Sequence, residues 1–226
     1  MRWLVPWIAL ALLPRPAAAA DPILVESGDD TAVYRFLPNL ARGDYSTLYA
    51  FTLADGGQQH DFRTFLRFAP LPDLAGACVE FAAVYVYYGF DFTGFGSGEN
   101  VPGALTCEPV LAPWAEATTT WNNQPPIGAA TGLVTGITAF DYLACDVTPI
   151  VQGWADGVPD HGVALSSPTA RVMGFYSFEA QVDPVLRPAL AITLADDPLA
   201  CPEPGLGGAM AVTFAALAAL RARRRR

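Results

Sequence analysis

The chain has 226 residues and a formal net charge of −9, with 13 arginines and no lysine. Seven of those arginines sit at the two ends, so residues 21–200 carry six against 21 acidic residues, a net of about −15. A surface of that sign repels a phosphate backbone, which excludes nucleic acid as a partner. It suits a hard cation that takes carboxylate oxygens, so a structural calcium ion is the one cofactor the composition admits, with no ligand residues assigned.

Residues 1–20 place Arg2 before an apolar run from Trp3 to Leu13, followed by small alanines. That order is a signal peptide with cleavage near Ala20, and the run is shorter than the roughly 20 residues of a membrane span. The domain opens at "DTAVYRF", Asp30 to Phe36. "STLYAFTL" then sets Leu48 and Ala50 against Tyr49, Phe51 and Leu53, and "RTFLRF" sets Arg63, Phe65 and Arg67 against Thr64, Leu66 and Phe68. These are strands with period two, and "VEFAAVYVYY" from Val79 is a third, rich in β-branched and aromatic residues. "DVTPIVQGWADG" holds a short helix from Thr148 to Trp154, with Asp146 or Thr148 as its cap. "HGVALS", "ARVMGFYSF" and "RPALAITL" are further short strands, and Gly, Pro, Asp and Asn clusters separate all of them. The expected fold is all-β: a two-sheet antiparallel β-sandwich of jelly-roll type. The signal helix and a C-terminal hydrophobic helix lie outside it.

The stretch "WAEATTTWNNQPP", Trp114 to Pro126, is the most distinctive in the chain. Asn122, Asn123 and the prolines are turn chemistry, because Asn side chains bond nearby backbone and Pro cannot continue a central ladder. Trp114, Trp121 and Trp154 each bring large apolar area, whose commoner use is burial. All three are expected at corners or in the core.

Three cysteines fall in the domain, Cys78, Cys107 and Cys145, and an exported chain oxidises them. One is left over unless Cys201 takes part, so spacing alone leaves the connectivity open. Cys107 precedes the Trp114 stretch and Cys145 precedes Asp146, and a Cys107–Cys145 bond is the pairing expected.

No nucleophile elbow, phosphate-binding loop or zinc-protease motif occurs, and no residue is assigned a catalytic role. His60 and His161 are far apart, each following a loop, and read as surface residues. A sugar site needs exposed rings and a few polar groups. The candidates are Tyr88, Phe90, Phe92 and Phe95 of a Gly-rich aromatic segment, with Arg63 and Arg67 to grip carboxylates. For the two arginines the plainer reading is an internal ion pair, with Glu179 as partner.

Residues 199–226 carry Cys201, Pro202, Glu203, Pro204 and Gly205, then an apolar stretch from Leu206 to Leu220, then arginines. The cationic block stays on the cytoplasmic side. This tail resembles the PEP-CTERM type of bacterial sorting signal, which implies a membrane sorting protease as a partner and delivery to the cell surface or beyond.

The landmarks between residues 29 and 195, in their order, resemble the DNRLRE-domain family of secreted bacterial and archaeal proteins. Two motifs carry the resemblance: Trp114, Glu116, Thr118, Thr120, Trp121, Asn122, Asn123 and Pro125; and Asp146, Val147, Thr148, Val151 and Trp154. The resemblance implies a β-sandwich accessory domain spanning residues 21–198, some members of which bind carbohydrate such as alginate. The function expected is an exported, non-catalytic surface module that binds polysaccharide or cell-surface matrix. The alternative is a structural or adhesive surface protein with no small ligand.

Overall fold

A computed structural model of the chain describes residues 21–55, 58–91 and 101–195. The signal segment, the sorting tail, Phe92 and Phe95 lie outside the described residues. Ten strands are present: β1 (Ile23–Tyr34), β2 (Thr47–Asp55), β3 (Gln58–Phe68), β4 (Val79–Asp91), β5 (Gly103–Pro109), β6 (Gly132–Ile137), β7 (Tyr142–Asp146), β8 (Val163–Ser166), β9 (Met173–Tyr176) and β10 (Ala189–Leu194). One helix, α1 (Thr148–Ala155), lies between β7 and β8. Among the described residues no helix is long and apolar enough to cross a membrane.

All the pairings are antiparallel, and they build two layers. One layer runs from the start of β1 through β10 and β4 to β7. The other runs from the rest of β1 through β3, β8 and β5 to β6, with β2 hairpinned to β3. Strand β1 therefore changes layer along its length: Ile23–Glu26 pair with β10, and Ser27–Tyr34 pair with β3 after a bulge. Strand β9 closes the other side by pairing with both β4 and β2. The all-β antiparallel sandwich expected from the alternating runs is the architecture observed.

Between the layers lies the main core, which includes Phe51, Leu66, Phe68, Val84, Leu105, Leu165, Phe175 and Leu190. Two smaller apolar clusters sit on the outer faces. One is built on Phe81, Tyr85 and Ala191 and is covered by a turn at Val185. The other is built on Val33, Phe65 and Ala164 and is covered by Trp114 from the 110–131 loop. A sheet face that stays apolar must be covered, and here loops do the covering.

Helix α1 spans the predicted range and runs one residue past it, ending at Ala155, with Ile150, Val151 and Ala155 buried. Its start is fixed by Asp146, whose Oδ1 accepts the Thr148 N–H at 2.9 Å and the Thr148 hydroxyl at 2.7 Å. The cap position itself belongs to Val147, which gives no side-chain bond. Trp154 packs partly buried on the main core, as expected. His60 departs from its sequence reading: it lies in β3, is buried, and bonds through Nδ1 to the Tyr34 hydroxyl at 2.7 Å.

Cys107 on β5 is bonded to Cys145 on β7, with Cα atoms 6.3 Å apart and a separation of 38 positions in sequence. The bond joins one layer to the other. Cys78 is also disulfide-bonded. In the chain-entropy account, closing a loop of that length stabilises by about 4 kcal/mol. Replacing Cys107 and Cys145 together by alanine is expected to lower the unfolding free energy by about that much, read from denaturant midpoints. Peptide mapping without reductant is expected to recover the two cysteines linked to each other.

Candidate functional site

The 110–131 loop is laid against the outer face of the β1–β3–β8 layer, and each contact traces to a residue of the Trp114–Pro126 motif. Strand alternation puts Val33, Phe65 and Ala164 on that face, and Trp114 packs on them with its ring centroid 5.9 Å from that of Phe65. Trp114 is 8% exposed, and its Nε1–H donates to the His161 carbonyl at 2.8 Å, so both its apolar body and its polar edge are satisfied inside. Gly162, next to that carbonyl, has φ +90°, and a side chain there would run into the Leu66 carbonyl.

Inside the loop the polar side chains bond one another. Asn123 Oδ1 accepts the Thr120 N–H at 2.6 Å and the Thr120 hydroxyl at 2.9 Å, while its Nδ2 donates to the Thr118 carbonyl at 3.0 Å. Gln124 Nε2 donates to the Trp121 carbonyl at 2.8 Å. Asn122 ties the loop to the segment after β1: its N–H donates to the Pro38 carbonyl at 3.0 Å and its Nδ2 to Asn39 Oδ1 at 2.8 Å. This is the corner that Asn and Pro chemistry predicts.

Trp121 is different. It is only partly buried, at the edge of the outer cluster, and its Nε1–H has no hydrogen-bond partner among the described residues. The Arg35 and Arg63 guanidinium carbons lie 5.9 and 5.8 Å from its ring centroid. Arg35 is exposed and pairs with Asp61 at 2.9 Å. Arg63 donates to Ser166 Oγ at 3.1 Å and to Gln124 Oε1 at 2.6 Å. The result is a half-open indole flanked by two cations, with an uncommitted donor at its edge.

Other predicted sugar residues are placed elsewhere. Tyr88 is fully buried in the main core and accepts Arg171 Nε–H at 2.8 Å, so its ring reaches no ligand. It sits on the inward phase of β4, whose alternation continues further than the Gly-rich composition suggests. Phe90 is half-buried and packs edge-on to Tyr49 at 5.8 Å and against Tyr176 at 5.6 Å. Arg67 is committed within the fold. It is ion-paired with Asp29, donates through Nη1 to the Trp114 carbonyl at 3.3 Å, and lies 5.2 Å from the Trp114 ring. Its partner is thus Asp29, the residue opposite it in the β1–β3 register, and not Glu179.

Glu116 marks a second feature. Its Oε1 accepts the Asp30 N–H at 3.0 Å, which anchors the loop to β1 across 86 residues of sequence. Gly43 packs so close to Glu116 that a side chain there would overlap it. The same anchor brings carboxylate oxygens of Asp30, Glu116 and Glu179 within 4.8 Å of one another, and among the described residues this is the group with the spacing to hold a metal ion. At that spacing two carboxylate charges repel by about 3 kcal/mol at an effective dielectric constant near 20. Burial is the main cause that pushes the Asp30 carboxyl up to about 8; the Phe178 N–H pulls it back, and the charges of Glu179 and Glu116 add to the rise. Glu116 is raised too, by burial first, against the pull of the Asp30 N–H.

The sandwich thus hides one tryptophan of the motif under a loop and leaves the other at its rim. The family model of carbohydrate-binding module family 96 matches residues 25–193, and the chain belongs to that family. No curated protein matches the chain.

Sequence reasoning missed the grouping of Asp30 with Glu179. Each stands in a landmark segment, "DTAVYRF" or "SFEA", but the group is assembled from positions up to 149 residues apart, and only strand pairing makes them neighbours. Trp114→Ala is expected to lower stability by about 3–5 kcal/mol, the usual cost of deleting a buried large aromatic. Trp121→Ala, at the rim, is expected to cost about 1 kcal/mol. Chemical denaturation of the two variants checks both.

Proposed function

We propose that the chain is an exported, non-catalytic module that binds polysaccharide through the face around Trp121. The observation that carries this reading is the indole itself: half-open, with an N–H unpaired among the described residues and two arginines within 6 Å of its ring. A sugar ring stacks on such an indole through its C–H face, while flanking cations and the N–H take hydroxyl or carboxylate oxygens. Membership of a carbohydrate-binding family supports the same reading. Arg63 stays on the list of sugar contacts from the sequence. Tyr88 and Arg67 leave it, and Arg35 and Trp121 join it.

Residues 1–20 are read as the export signal and residues 199–226 as a PEP-CTERM-like tail handled by a membrane sorting protease, which puts the module at the cell surface or outside the cell. The DNRLRE resemblance supports an accessory role beside other secreted activities. One observation favours the structural or adhesive alternative: Asn123 and Gln124 spend their hydrogen bonds within the loop or on Arg63, leaving fewer groups for a ligand.

The test is a glycan array of neutral and uronic polymers, followed by titration of the best binder. Trp121→Ala is expected to weaken binding at least tenfold while the melting temperature falls by no more than a few degrees. Retained binding in that variant would move the site elsewhere on the module. A wild type that captures no glycan would leave the structural reading in its place.

A further inference from the structure

We propose that Asp30, Glu116 and Glu179 form a calcium site that clamps the 110–131 loop to the sandwich. The three residues come from β1, from the loop and from the turn after β9, and one carboxylate oxygen of each lies within 4.8 Å of the other two. Calcium–oxygen bonds run about 2.3–2.6 Å, so a single ion reaches oxygens spaced in this way. Magnesium, held at about 2.0–2.1 Å in a near-ideal octahedron, needs them closer.

Acidic clusters are common on so acidic a surface; Asp30 sets this one apart. Its side chain is 1% exposed. Oδ2 accepts the Phe178 N–H at 2.8 Å and the Ser27 hydroxyl at 3.3 Å. Oδ1 is buried with no hydrogen-bond partner, and so is Oε2 of Glu179. Buried carboxylate oxygens are normally paired or bound to a metal.

The nearby arginines are committed elsewhere. Arg35 pairs with Asp61 and Arg67 with Asp29, and neither pair includes a member of the cluster. Arg187 donates to the Ala180 carbonyl at 3.1 Å and lies over the Phe178 ring. A divalent cation supplies what Asp30 Oδ1 and Glu179 Oε2 lack. It also removes the repulsion that the Glu116–Asp30 anchor creates. Its role is to hold the loop that carries Trp121; it does not touch the sugar.

The inference is independent of the sugar reading, and its test reads calcium alone. The full chain is stripped with chelator, dialysed, and titrated with calcium chloride and separately with magnesium chloride by calorimetry and thermal melting. The expected result is one calcium per chain and a melting temperature raised by about 5–10 °C at 100 times the Kd, with a smaller response to magnesium. Asp30→Asn and Glu179→Gln are each expected to weaken calcium binding at least tenfold. Glu80→Gln, on the exposed side of β4, is expected to change nothing. If Asp30→Asn fails to fold, Glu179→Gln, at a partly exposed position, decides. The proposal is overturned if the wild type takes up no calcium, if magnesium binds as tightly, or if Glu179→Gln binds calcium like the wild type.

Discussion

One hydrogen bond, from the Asp30 backbone N–H to Glu116 Oε1, sets the terms for the rest of the molecule. It seats the long loop between β5 and β6 on strand β1. With the loop seated, Trp114 covers the apolar patch of Val33, Phe65 and Ala164, and Trp121 is left at the rim beside Arg35 and Arg63. The same bond has a cost, because it draws the Glu116 carboxylate into a region that already holds Asp30 and Glu179. Burial first, and the neighbouring carboxylates after it, hold the Asp30 carboxyl up at about 8, so taking up a proton is one relief. Taking up a cation is the other, and it alone pairs the orphaned oxygens.

The two layers are held by separate means that act in concert. The core between them supplies the bulk of the burial, the Cys107–Cys145 bond staples β5 to β7, and β1 belongs to both layers through its change of partner at the bulge. Each outer apolar face is then closed by a loop. On the β10–β4 side the cover is the turn at Val185, and on the β3–β8 side it is the Trp loop. The second cover leaves the Trp121 ring partly open beside Arg35 and Arg63.

The fold was legible because local rules decide it. The runs STLYAFTL, RTFLRF and VEFAAVYVYY became parts of β2, β3 and β4, and Asp146 fixes the start of α1. Trp114 was legible as core for the same reason. The site was less so. Tyr88, where the strand run from Val79 meets the Gly-rich aromatic segment, was a sugar candidate, yet the alternation of β4 turns its ring inward. Arg63 and Arg67 share a face, as period two requires, but their partners are set by cross-strand register and by the loop fold. Arg67 thus lies opposite Asp29 and is consumed, whereas Arg63 lies opposite Val33 and reaches the rim. Carboxylates 86 and 149 residues from Asp30 carry no local signal of their meeting.

The central claim is a division of labour between two tryptophans of one motif: Trp114 holds the loop, and Trp121 meets the ligand. Two-dimensional NMR of the indole N–H signals tests it directly, as polysaccharide fragments are added to the folded protein. The Trp121 signal is expected to shift with saturation while those of Trp114 and Trp154 stay in place, since the Trp114 N–H is already bonded to the His161 carbonyl. A titration in which Trp121 stays still and another indole moves would contradict the account.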